Sequence, residues 1–225
     1  MSGPDVTVRS VGIEGQPLVV IDGFSADPAA LRAAAIAERF GPAGQHYPGL
    51  RASLPADYFQ ERGSVLADVM ARAFGYRGRV DVLDASFSVV TTLPSALSVR
   101  QRLPHCDAFA ADRLAIVHYL SPEGGDGTAF FRHRSTGYET VDAARAPGYF
   151  ERLDAELQDA GEPPPSYIAD DTPLFERTML AEARFDRALI YRSFLLHSGA
   201  IAPGAALSPD PATGRLTVTA FLVAA

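Results

Sequence analysis

The order of the sequence patterns constrains the fold, because two helical segments lie in the first third of the chain and most of the strand-like runs follow them. Helix is predicted at residues 29–40 and 59–74, and strand at 17–24, 80–92, 113–120, 128–132, 188–194 and 216–223. The glycine and proline content of residues 41–54 predicts a loop. Strands that do not alternate regularly with helices favour an α+β fold with a mainly antiparallel sheet.

Two histidines and one aspartate form a candidate metal-binding set. His105 and Asp107 are separated only by Cys106. If residues 103–107 are an extended strand, the two ligands share one face and Cys106 points away. His197 follows an apolar run at 188–196, which predicts that a second strand carries it to the same site. Two histidines and one carboxylate hold Fe(II) on one face and leave coordination positions open.

Several motifs occur in a familiar order around these residues. The His-x-Asp motif is followed by Tyr-Leu at 119–120 and Gly-Gly-Asp-Gly-Thr-Ala-Phe at 124–130, then by His197 and by Arg-Leu-Thr-Val-Thr at 215–219. This order resembles the prolyl-4-hydroxylase-like branch of the Fe(II)/2-oxoglutarate-dependent oxygenases, and the resemblance covers about residues 80–225. Residues 127–139 also resemble a bacterial branch of unassigned function. The resemblance implies a double-stranded β-helix, or jelly roll, supported by the N-terminal helices.

The resemblance also implies roles for individual residues. Fe(II) would be held by His105, Asp107 and His197, and 2-oxoglutarate would be the co-substrate. Its far carboxylate needs a cation, and the guanidinium of Arg215 forms the planar, bidentate pair that suits a carboxylate. Tyr119 and Thr219 would bind the same carboxylate. The implied activity is hydroxylation of an unidentified small molecule, amino acid or peptide.

A single oxygenase-like domain is predicted over residues 1–225. Helical support is expected at 17–75 and the jelly-roll core at 80–225, with an insert at about 139–182. That insert contains a predicted helix at 149–160 and a triple proline at 163–165. Two interpretations of it stay open, a lid over the barrel mouth and a plain surface excursion.

Composition excludes several classes of function. The net charge of −7 and the absence of any basic run argue against non-specific nucleic-acid binding. All 20 basic residues are arginines, so lysine chemistry is excluded. One cysteine permits no internal disulfide, no signal-peptide pattern is visible, and no apolar stretch approaches 18 residues. We therefore expect a cytoplasmic protein that acts on a small molecule or peptide, and leave a homodimer open.

Alternative functions are kept beside the oxygenase. The scaffold could be a non-catalytic jelly-roll module that binds a metal or ligand without turnover. A zinc hydrolase is the weaker alternative, because His-Glu-x-x-His is absent. The clusters Arg-His-Arg at 132–134 and Tyr-Pro-Gly-Leu-Arg at 47–51 either bind an anionic substrate or are solvated strand ends.

Overall fold

The computed structural model describes residues 3–44, 47–122, 126–205 and 207–224. Within them the chain forms three α-helices, α1 Pro28–Ala37, α2 Gly63–Ala73 and α3 Ala146–Ala160, and two 3-10 helices, Pro94–Ala96 and Val99–Arg102. The strands are β1 Asp5–Val11, β2 Gln16–Asp22, β3 Gly41–Pro42, β4 Gly49–Ala52, β5 Val80–Val90, β6 Arg113–Tyr119, β7 Gly127–His133, β8 Phe175–Glu182, β9 Arg187–Arg192, β10 His197–Ala200 and β11 Leu216–Ala224.

The strands form two sheets whose neighbours all pair antiparallel. The larger sheet has the order β1-β2-β9-β6-β11-β5-β4-β3, and the smaller has the order β10-β7-β8. Consecutive strands such as β6 and β7 lie in different sheets, so the chain crosses repeatedly between them. This arrangement confirms the predicted α+β class with a mainly antiparallel sheet.

The core is layered, because both sheets are covered on both faces. On β2, Leu18 and Val20 pack between the sheets, whereas Val19 and Ile21 pack on the other face with residues of α1 and α2. The outer face of the smaller sheet packs against α3. A strand buried on both faces needs a continuous apolar run, and Leu-Val-Val-Ile at 18–21 supplies it.

A buried hydrogen-bond chain ties the N-terminal part to the larger sheet. The Tyr58 hydroxyl lies 3.1 Å from His118 Nδ1, and His118 Nε2 lies 2.9 Å from Asp186 Oδ1. Asp186 also accepts from the Ser25 backbone N–H at 2.7 Å. The Nε2 proton therefore faces the carboxylate, and Nδ1 accepts from the tyrosine. Burial lowers the pKa of His118, although hydrogen bonding to Asp186 opposes the shift.

Several local predictions need correction. Residues 103–107 are not a strand; they make one isolated bridge between His105 and His197. The predicted loop at 41–54 contains the short strands β3 and β4. Residues 59–62 are turn rather than the first helical turn of α2. β1 was not predicted, because all but the last of its residues are exposed and its pattern carries no buried face.

The range 139–182 contains both α3 and β8. Since β8 pairs with β7 over its whole length, only residues 139–174 lie outside the sheets. Tyr149 and Leu153 of α3 are buried against the smaller sheet, so this helix is part of the packed core. In the part of the chain that the structure describes, no helix is long and apolar enough to cross a membrane.

Candidate metal centre and cavity

Backbone pairing brings the His-x-Asp segment to the second histidine. His197 begins β10 and lies opposite Phe130 on β7. The His105 N–H donates to the His197 carbonyl at 2.9 Å, and the His197 N–H donates to the His105 carbonyl at 2.8 Å. Asp107 donates its N–H to the Ser193 carbonyl at 2.8 Å. The three side chains therefore converge although the predicted strand at 103–107 does not form.

The three side chains are spaced to share one ion. His197 Nε2 lies 3.4 Å from Asp107 Oδ2, and His105 Nε2 lies 3.7 Å from Asp107 Oδ1. One ligand atom from each of the three lies within 4.8 Å of the others. Ligands about 2.1 Å from an octahedral ion lie about 3 Å apart on one face. Small side-chain movements would therefore complete facial coordination.

Hydrogen bonding selects the histidine nitrogen that faces the site. His197 Nδ1 lies 2.9 Å from the Leu195 carbonyl oxygen, so Nδ1 carries the proton and the Nε2 lone pair points toward Asp107. The Tyr191 ring packs edge-on against this imidazole at 4.8 Å between centroids. The site thus holds His197 in the tautomer and orientation that a metal ligand requires.

Desolvation adjusts the charges of the three residues. Burial lowers the pKa of His197 to about 4. Partial desolvation by the surrounding protein, and then the neighbouring His197, lower the pKa of His105, whose side chain is 52% exposed. Burial raises the pKa of Asp107 against the opposing effects of His105 and Arg51. Both imidazoles are therefore neutral at neutral pH, which is the protonation state that binds a metal.

The cluster lies on the wall of a cavity of about 640 Å³ between the two sheets. The lining residues come from both sheets, from the segment at 98–107, and from Ala43, Tyr47, Pro48, Tyr167 and Ile201. Tyr167 belongs to the segment outside the sheets, and its hydroxyl donates to the Thr92 carbonyl at 2.7 Å. Part of the range predicted as an insert therefore closes one wall of the cavity.

Arg215 also lines this cavity. Its guanidinium is displaced from His197 along the smaller sheet. Its Nε donates to the Asp126 carboxylate, and its Nη2 donates to the Gly127 carbonyl at 3.1 Å. Gly127 lies opposite Ala200, three residues after His197 on β10. The guanidinium is therefore anchored on the smaller sheet while its backbone immediately precedes β11 of the larger one.

Tyr119 and Thr219 both lie near the cavity, but each hydroxyl already has a partner. The Tyr119 hydroxyl lies 2.7 Å from Thr128 Oγ1, and its ring lies 5.6 Å from the Arg215 guanidinium carbon. Thr219 lines the cavity, and its Oγ1 lies 2.7 Å from Ser88 Oγ. Tyr119 thus lies against Arg215, and Thr219 shares the cavity lining with it. Whether either touches a co-substrate stays a prediction.

Tyr47 is a cavity residue to which sequence reasoning gave no individual role. Its hydroxyl is buried and has no partner at regular hydrogen-bonding distance among the described residues, although Thr217 and Ser88 lie close enough to lower its pKa. Burial raises the pKa of Tyr47, and the nearby charge of Arg215 opposes this. An unpaired buried hydroxyl beside an arginine is where a bound anion would find a donor. The unusual segment at 47–51 was the only sequence signal for it.

The other basic cluster, Arg-His-Arg at 132–134, is not part of the cavity lining. Arg132 pairs with the buried Glu139 at 2.7 Å, and the buried His133 lies 2.8 Å from Glu156. The solvated-strand-end interpretation is therefore wrong for these two residues, because both have internal carboxylate partners.

Cys106 points away from the ligand atoms of its neighbours and packs against the cluster that contains Tyr149 of α3. Burial raises the pKa of this thiol to about 11, so it stays protonated. It acts as a small apolar side chain, as the sequence pattern predicted.

Comparison with solved structures identifies the class of fold. The chain is similar to apo HygX from Streptomyces hygroscopicus, with 14% identity, a TM-score of 0.52, and 92% of this chain and 82% of that chain covered. The same protein with nickel, 2-oxoglutarate and hygromycin B bound has 15% identity, a TM-score of 0.50 and the same two coverages. At such identity the likeness shows a shared fold.

Family comparison then places the chain itself. It belongs to DUF6445, described as a family of unknown function, whose model matches residues 2–222. No curated protein matches its sequence.

Proposed function

We propose that this protein is an Fe(II)- and 2-oxoglutarate-dependent oxygenase that hydroxylates a small molecule, amino acid or peptide. The observation that carries the proposal is the convergence of His105, Asp107 and His197 on the wall of a cavity of about 640 Å³. A closed structural zinc site would use four ligands, whereas a cluster of three leaves positions for substrate chemistry.

The donor set fits Fe(II). Two neutral imidazole nitrogens and one carboxylate are the ligands of mononuclear non-haem iron. His105 and His197 would supply the nitrogens, and Asp107 would supply the charge. When bound, the iron would activate dioxygen, so that one oxygen atom converts a substrate C–H bond into C–OH and the other enters 2-oxoglutarate, which is oxidised to succinate and carbon dioxide. The chain's own contribution is to orient the ligands, and the Leu195 carbonyl does so for His197.

The co-substrate site also fits. Gly199 lies two residues after His197 on β10, which is a distance of about 7 Å along the strand. Arg215 lies next to Gly199, so about this distance separates His197 from the arginine. A five-carbon dicarboxylate extended at about 1.5 Å per bond matches this span. Its far carboxylate would bind the remaining N–H groups of Arg215. The unpaired hydroxyl of Tyr47 is a second donor close by.

The fold supports the same proposal. Two facing antiparallel sheets around the candidate centre are what a double-stranded β-helix would present. HygX, which shares the fold, has been solved with iron and separately with nickel and 2-oxoglutarate. Membership of the prolyl-4-hydroxylase-like branch stays a prediction.

Anaerobic spectroscopy tests the proposal. Fe(II) and 2-oxoglutarate added together should produce a weak visible charge-transfer band, which neither produces alone. Asp107→Ala should weaken Fe(II) binding by more than about 100-fold, the upper range for losing a partner that only orients a ligand. Asp68→Ala is the matched control, because Asp68 is half exposed on α2. A folded wild-type protein that binds Fe(II) without forming the band would refute the proposal.

A further inference from the structure

We propose that the primary substrate is a small organic acid and that Arg51 binds its carboxylate. This inference rests on the proposed function and goes beyond it, because it assigns the class of substrate and a residue that selects it.

Arg51 faces the same cavity as the candidate metal ligands. It lies on β4, opposite Ser88 of β5, and its side chain is part of the cavity lining. It is close enough to Asp107 to act on that carboxylate electrostatically. A group bound to Arg51 would therefore lie within the cavity that the candidate metal ligands also line.

The guanidinium of Arg51 is held in place, but not all of its N–H groups are hydrogen-bonded. It lies over the Tyr47 ring at 5.0 Å from the centroid, and its Nη1 donates to Asp84 at 3.0 Å. Its Nε is buried without a partner among the described residues. The Asp84 side chain is 51% exposed, and ion pairs of that kind are weak. A substrate carboxylate can therefore share or replace this contact.

The arginines of the lining favour an acid. The charged residues of the described lining are one carboxylate, Asp107, and three arginines, Arg51, Arg100 and Arg215. Arg215 pairs with Asp126, and Arg100 pairs with Asp154 at a half-exposed position. Bound Fe(II) and 2-oxoglutarate would carry equal and opposite charges, so together they would leave the net charge of the cavity unchanged. Each of the three arginines therefore also pairs with an aspartate outside the lining, so the attraction for an acid comes from the replaceable contact of Arg51 with the half-exposed Asp84 and from the Arg51 Nε, for which the described part of the chain offers no partner.

Calorimetry with matched acids and amides tests this inference. Protein loaded anaerobically with Fe(II) and 2-oxoglutarate is titrated with phenylacetate and hexanoate, and with their neutral amides. The acids should bind at least about 10-fold more tightly than the amides, because a carboxylate makes charge-assisted hydrogen bonds that an amide lacks. The visible band must persist during the titration, which shows that the acid has not displaced 2-oxoglutarate.

Substitutions assign the effect to one residue. Arg51→Gln should weaken acid binding by about 10-fold or more and leave amide binding unchanged. Arg51→Lys should recover part of the loss, because it keeps the charge but not the planar fork. Arg72→Gln is the control, because Arg72 is 79% exposed on α2. Thermal melting establishes that each variant is folded.

The outcomes separate the two proposals. If the band forms but acids bind no more tightly than amides, or Arg51→Gln binds them like wild type, this inference is wrong and the proposed function stands. If neither acid binds at all, the inference is also wrong. If the band does not form in folded wild-type protein, both proposals are wrong.

Discussion

Replacement of Arg215 by alanine is the most demanding test of the proposed co-substrate site. The guanidinium has five N–H donors; one is used by Asp126 and one by Gly127, which leaves three for a ligand. Loss of a charge-assisted pair typically costs about 1.5–3 kcal/mol, or about 10- to 150-fold in affinity. Arg215→Ala also leaves the Asp126 carboxylate unpaired beside the site, where it would repel 2-oxoglutarate. We therefore expect a loss toward the upper end of that range.

A paired variant separates the lost attraction from the added repulsion. The double variant Arg215→Gln with Asp126→Asn removes both charges and keeps polar groups in both positions. It should bind 2-oxoglutarate more tightly than Arg215→Ala and less tightly than wild type. It also avoids a buried unpaired charge, which can destabilise a protein by about 3–5 kcal/mol. Arg215→Lys should recover only part of the loss, because an ammonium cannot form the planar fork.

The assay is a titration of 2-oxoglutarate into anaerobic, Fe(II)-loaded protein, followed by the visible band. Fe(II) affinity, measured separately, should be nearly unchanged, because Arg215 is not one of the three clustered ligand residues. Wild-type affinity for 2-oxoglutarate in folded Arg215→Ala would show that another group holds the far carboxylate or that the co-substrate is a different molecule.

Two further predictions concern stability. Gly12 has φ +58°, and a Cβ there would meet the Glu139 carboxylate, so Gly12→Ala should lower the free energy of unfolding by about 2 kcal/mol or more. Gly15→Ala, at φ +67° with only an ordinary contact to Ser10 Oγ at 3.5 Å, should cost only the backbone contribution of about 1–2 kcal/mol. Equal losses in urea titrations would contradict this. The pKa of His118 is lower in the folded protein than in the unfolded chain, where it is about 6.5. Its contribution to the free energy of unfolding is therefore complete above about pH 6.5 and decreases as the pH falls below that value. Urea titrations between pH 7.5 and 5 should show this loss of stability. His118→Asn should make the free energy of unfolding depend less steeply on pH, and an unchanged dependence would show that His118 is not the group responsible.

The metal-ligand cluster was predictable because chemistry and strand periodicity point the same way. An i, i+2 pair of ligands needs only a locally extended chain to converge. Here the bridge of His105 to His197 and the hydrogen bond from the Asp107 N–H to the Ser193 carbonyl bring the side chains together, although Asp107 lies in a bend. His197 follows a buried apolar run, which placed it near a sheet. The fold class followed from the order of the patterns. None of these inferences required knowledge of tertiary contacts.

Contacts made across the chain were not predictable. Glu139 accepts from the backbone of Ile13 and Glu14 at 3.1 and 2.9 Å, and no local pattern marks such a partner. The partner of Arg215 is Asp126, far away in sequence, so the arginine was expected to be free for a ligand. β1 was missed because an exposed edge strand shows no buried face. In each case the deciding interaction is between segments whose proximity only the tertiary fold determines.

The long interval between His197 and Arg215 follows from the division of the strands between sheets. His197 is on β10 of the smaller sheet, and Arg215 immediately precedes β11 of the larger sheet, so the connection must cross from one to the other. Pairing of Thr217 with Tyr119, together with the bond from Arg215 to Gly127, fixes where the arginine arrives. The length of the connection therefore does not set the distance between His197 and Arg215. That distance is set by the spacing of the two sheets and by strand register, which is why an arginine remote in sequence can serve the same cavity.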